Sequence, residues 1–110
     1  MKNILVIKLS ENHKLSDRET IDRVRGDWKI SPKRLDDVKY VVVLNNQEVI
    51  ATYSLGSEFT YNRETGRVGN LALTKNDDLD VIGNYVEYST SNPATLASYD
   101  RLFGEWSIVQ

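Results

Sequence analysis

The stretch YVVVLNNQEVIATYSL, Tyr40 to Leu55, decides the fold of this 110-residue chain. Two runs rich in β-branched and aromatic residues flank a polar Asn45-Asn46-Gln47 turn, the pattern of a β-hairpin. The first run, Tyr40 to Leu44, is apolar at nearly every position, so it reads as a central strand with both faces covered. In the second, strict alternation predicts Val49, Ala51, Tyr53 and Leu55 on one face, with Ile50, Thr52 and Ser54 on the other.

Upstream of the hairpin, Lys2 to Leu9 has the same two-faced apolar character and reads as a first strand. Ser16 followed by Glu19 has the spacing of a capping box, which predicts a short helix from about Asp17 to Arg25, ended by Gly26. That helix offers the core Ile21 and Val24, with Trp28 falling one turn beyond. Ser31-Pro32 predicts a second helical turn reaching about Val38. Downstream, Glu58 to Tyr61 and Arg67 to Leu73 read as short strands around a turn at Asn62 to Gly66. Lys75 to Asp80 reads as an acidic loop, with further extended chain at Val81-Ile82 and Tyr85 to Ser89. Asn92-Pro93 predicts a helix from about Ala94 to Leu102 closed by Gly104, and Trp106 to Val109 a final strand. The order lacks an alternating βαβ rhythm. The expected fold is therefore one α+β domain over residues 1–110: a curled, mostly antiparallel β-sheet or small β-barrel with two or three short peripheral helices.

Composition excludes several function classes. The sequence has 14 basic against 16 acidic residues and no cysteine, so bulk polyanion binding, disulfide frameworks, thiolate zinc sites and thiol nucleophiles are not expected. The apolar run at Ile4 to Ile7 is too short to span a bilayer and lacks signal-peptide features, so a cytoplasmic protein without membrane contact is expected. Charge is nonetheless uneven. Residues 1–55 carry ten Lys and Arg against eight Asp and Glu, while residues 56–110 carry four against eight.

The candidate chemistries differ in specificity. His13 is the lone histidine and sits in the polar segment SENHK, which fits a surface residue better than a catalytic base. Asn76, Asp78, Asp80 and Glu87 match positions of a calcium-loop template, but Val81 stands where that loop requires glycine, so no metal site is assigned. Gly66-Arg67-Val68-Gly69 lacks the third glycine and the lysine of phosphate loops. Asp37-Val38-Lys39 supplies one carboxylate and one lysine of a metal-dependent nuclease without a partner acid, which ranks nuclease third. No catalytic residue and no cofactor are assigned.

What remains is an aromatic and basic constellation. Trp28 and Tyr53 or Tyr85 can stack on a base, while Arg25, Lys29 and Arg67 can hold phosphate or base edges, so these six are the candidate binding residues. The segment Arg25-Gly26-Asp27-Trp28, the short helix Ser31 to Val38, the hairpin Tyr40 to Leu55 and Gly66-Arg67 together resemble small PUA-like domains of the EVE and ASCH kind. The resemblance spans about residues 1–90 and rests on element order and the RGxW segment. It implies a curled β-barrel that binds RNA or a modified base, with a helix after the first strand helping to line the pocket; it carries over no catalytic residue. The expected function is a non-enzymatic module for nucleic acid or a modified nucleobase. The alternative is a small phage-type interaction protein with a protein partner, a host nucleic-acid defence enzyme that it inhibits, the acidic loops 56–64 and 75–80 mimicking DNA phosphates.

Overall fold

In the computed structural model, which describes residues 3–76, 78–88, 93–99, 102 and 108–109, the hairpin forms the middle of a seven-stranded sheet. β1 (Ile4–Leu9) pairs parallel with β3 (Tyr40–Asn45), and β3 pairs antiparallel with β4 (Glu48–Leu55). The parallel pair arises because the chain between β1 and β3 crosses over through α1 (Asp17–Arg25), β2 (Trp28–Lys29) and a 3₁₀ helix at Pro32–Leu35. All other pairings are antiparallel. A separate three-stranded sheet contains β2, β5 (Thr60–Asn62) and β6 (Arg67–Gly69), with β6 in the centre. β7 (Leu73–Lys75) and β8 (Tyr85–Val86) lie beside β4, and β10 (Ile108–Val109) pairs with β8. Among the described residues the strands close no barrel, and one α-helix and one 3₁₀ helix are complete.

The two-faced apolar strands have a core on each side. Leu5, Ile7, Val41 and Val43 join Val24, Ile30, Leu35, Val68 and Leu71 on the face covered by α1 and the small sheet. Ile4, Val6, Val42 and Leu44 join Val81, Val86, Tyr88 and Leu102 on the opposite face. Removing so much apolar surface from water is the main stabilising term of the fold.

Three expectations are corrected. The alternation along β4 is broken by a bulge: Val43 faces Ala51 while Leu44 faces Val49, leaving Ile50 without a partner on β3. Val49 consequently packs in the core opposite to that of Ala51 and Tyr53. The helix expected from Ala94 is not formed there, because β9 (Ala94–Ala97) is a strand at the end of the main sheet, antiparallel to β1. β1 needs a hydrogen-bonded neighbour on its second edge, and that demand overrides the local helix-start signal. The Leu102 N–H then donates to the Ser98 carbonyl at 3.2 Å, a helical bond. Val81-Ile82, expected to be extended, lies outside any strand. Asn92, Gly104 and Trp106 lie outside the described residues.

Candidate functional site

The site begins at the end of α1, where the last carbonyls of a helix need partners from outside it. The Gly26 N–H donates to the Arg23 carbonyl at 3.3 Å, and the Trp28 indole Nε1–H donates to the Val24 carbonyl at 2.6 Å. The indole is thereby pinned at the start of β2, half-buried against the core. With its one N–H occupied, it offers a ligand only its ring.

The registers of the small sheet sort the neighbouring residues by face. Trp28 pairs with Val68 and Val68 with Tyr61, whereas Lys29 pairs with Arg67 and Arg67 with Asn62. Cross-strand partners share a face, so Lys29, Arg67 and Asn62 form an exposed row opposite the buried Val68. Lys29 and Arg67 are like charges placed directly across from one another, an arrangement that costs stability unless an anion joins them. Among the described residues neither forms an ion pair with a carboxylate.

Between this sheet and β9 lies a cleft of about 610 Å³. Trp28, Lys29, Arg34 and Arg67 line one side, with Asp27 among them, and Thr95 and its β9 neighbours line the other. Three cations against one carboxylate give the lining a formal charge of +2. Arg67 is steadied by a long 3.5 Å contact from Nη1 to the Asp27 carbonyl, and the Thr95 hydroxyl lies 2.8 Å from that of Tyr88. The combination of an aromatic ring, fixed backbone and unneutralised cations suits a flat, anionic ligand.

Of the six residues singled out from sequence, the fold brings Trp28, Lys29 and Arg67 together at this cleft. Arg25 is exposed in the last turn of α1 and lies outside its lining. Tyr53 is 2% exposed within the core of the α1 side. Burial, assisted by the negative Asp17, raises its phenol pKa, and the ring offers no open stacking face. Tyr85 is exposed but lines another cleft, of about 680 Å³, beside His13 and Glu48. Neither Tyr53 nor Tyr85 therefore converges with Trp28. Asp27 and Thr95 were not evident from sequence: Thr95 belongs to a segment with a helix-start signal, and the position of Asp27 depends on the pairing of β2 with β6.

Among the described residues no group of three or more His, Cys, Asp or Glu side chains could hold a metal ion, and no helix is long and apolar enough to cross a membrane. Comparison with protein-family models, curated proteins and solved structures gives no match.

Proposed function

We propose that the cleft beside Trp28 binds nucleic acid or a modified nucleobase without catalysing its reaction. The observation that carries this reading is the meeting of Trp28, Lys29, Arg34 and Arg67 on one concave surface, with the Lys29–Arg67 like-charge pair unneutralised. A base stacked on the exposed part of the indole gains dispersion and burial, and the cations take the phosphate. Asp27 and Trp28 of the RGxW segment, which together with element order carries the likeness to EVE and ASCH domains, line this cleft beside Arg67. That PUA-like kinship, with its barrel, belongs to the same proposal.

The test is titration of the protein with single-stranded RNA and DNA octamers and with modified nucleosides, at low and then rising salt. Affinity for the octamers should fall as salt rises, and Arg67→Glu or Lys29→Glu should weaken it about tenfold or more. Absence of binding to every probe, or indifference to both charge reversals, overturns the reading. Cleavage of the octamers on adding a divalent metal overturns its non-enzymatic part. A protein partner lost on neutralising Asp78 and Asp80, yet retained in Arg67→Glu, would assign the function to the acidic loop instead.

A further inference from the structure

β9 ends the main sheet, and Pro93 to Leu96 line the Trp28 cleft. The Lys8 N–H donates to the Pro93 carbonyl at 2.8 Å, which turns that carbonyl toward β1. In an antiparallel pair the direction of the backbone groups alternates, so Thr95 also faces β1, while Ala94 and Leu96 turn their N–H and C=O away from it. Among the described residues no hydrogen bond engages these outward groups. The side chains alternate as well. Ala94 and Leu96 pack on the core that Trp28 joins, whereas the Thr95 hydroxyl meets Tyr88 of the opposite core. The outward backbone groups therefore border the same cleft as the indole, at half-buried residues where polar groups need a partner.

We infer that the backbone of β9 reads the Watson–Crick edge of the base that stacks on Trp28, so that the ligand is an unpaired base left unmethylated on that edge. This rests on the nucleic-acid reading of the Trp28 cleft and specifies its substrate as single-stranded. Each outward residue offers one N–H donor beside one C=O acceptor. Every nucleobase carries an adjacent donor and acceptor on its Watson–Crick edge, and pairing in a duplex consumes both. The indole, with its own N–H bonded to the Val24 carbonyl, supplies stacking but no edge contact, and the β9 backbone provides what the ring lacks. Two outward residues make an edge too short for a peptide adding as a further strand, but sufficient for a base. A modified base fits where its modification lies elsewhere on the ring.

The experiment titrates the full chain with octamers of uridine, 3-methyluridine and 5-methyluridine, and with octamers of adenosine and N6,N6-dimethyladenosine. Phosphate charge is the same throughout, so the cations of the cleft cannot account for a difference. Methylation of the Watson–Crick edge should weaken binding about tenfold, through loss of one hydrogen bond with its partner left unpaired, whereas the 5-methyl group should leave affinity unchanged. Enclosing the uridine octamer in the stem of a hairpin should weaken binding at least as much. Amide hydrogen exchange followed by NMR needs no variant. The Ala94 and Leu96 amides should exchange freely in the unliganded protein and become protected by the uridine or adenosine octamer, while the Thr95 amide is protected in both states. Equal affinity for each octamer and its edge-methylated form overturns the inference alone, as does binding that leaves the Ala94 and Leu96 amides unprotected. Failure of every octamer to bind overturns the nucleic-acid reading together with it.

Discussion

The Asp27 carboxylate lies over the Cα of Gly69, where any Cβ would collide with its Oδ1. Antiparallel pairing of Trp28 with Val68 makes the two positions neighbours across the strands, and the missing side chain at 69 leaves the space that the carboxylate fills. A feature that looks like a weak glycine turn in sequence is thus a contact surface in the middle of the small sheet.

Gly69→Ala should separate site from stability. The colliding atom is the end of a short, exposed side chain that can swing toward solvent, and alanine is better suited than glycine to a strand interior. The unfolding free energy should stay within about 1 kcal/mol of wild type, because no buried group loses a partner. Nucleotide affinity should change, because Asp27 is displaced within the lining of the Trp28 cleft. A thermal melt paired with the binding titration checks this; a large loss of stability, or unaltered binding, contradicts it.

Trp28→Phe should uncouple the two roles of the indole. Phenylalanine keeps an aromatic ring but removes the N–H that satisfies the Val24 carbonyl, so stability should fall by about 1–2 kcal/mol. Base stacking should largely persist in Phe and be lost in Trp28→Ala. Denaturant unfolding measures the first effect and calorimetric titration the second. Equal loss of binding in both variants would mean that the ring is not the platform.

The hairpin turn carries correctable strain. Asn46 and Gln47 have φ of 52° and 72°, as a two-residue turn with left-handed central positions requires. Asparagine tolerates this region, but glutamine gains nothing there, and the Gln47 side chain is exposed. Gln47→Gly should stabilise the protein by about 0.5–1 kcal/mol after allowing for the greater freedom of glycine in the unfolded chain. The Gln47 carbonyl, which accepts from the Val86 N–H at 2.8 Å, is retained. A lower melting temperature in the glycine variant would sink this account.

The features legible in sequence were those written in local chemistry. The hairpin, the two-faced strands at Ile4 and Tyr40, and the helix at Asp17–Arg25 with its capping box are each specified within a few residues. The bulge at Ile50 was not, because Val49 and Ile50 are equally apolar and either could begin the alternation. The strand at Ala94–Ala97 depends on the unpaired edge of β1, some 90 residues away in sequence. The site follows the same division. Trp28, Lys29 and Arg67 carry the chemistry that drew notice, whereas their meeting depends on the β2–β6 register. Tyr53 shows the reverse: its ring chemistry suited a platform, and its position on a central strand buried it.

The N-terminus of α1 gives the chain a defined acid response. The Glu19 N–H donates to Ser16 Oγ at 3.2 Å, and the Ser16 N–H donates to Glu19 Oε1 at 3.1 Å, completing the capping box. These bonds to Ser16, backbone first, hold the Glu19 carboxyl below its ordinary value of 4.5, with His13 helping at 3.7 Å. A carboxyl whose pKa is lower in the folded than in the unfolded state favours folding when ionised. Its contribution is therefore complete above pH 4.5 and disappears as the pH falls through the lower folded value. Glu19→Gln keeps an acceptor for the Ser16 N–H but cannot ionise, so it should be the less stable protein at pH 7, where the negative first turn also favours the helix dipole. On acidification the wild type should lose more stability than the variant, and their melting temperatures should converge below the folded pKa. Melting curves at half-unit intervals from pH 6 to about pH 2.5 follow the difference between the two proteins; a constant difference across that range would mean that Glu19 contributes nothing through its charge.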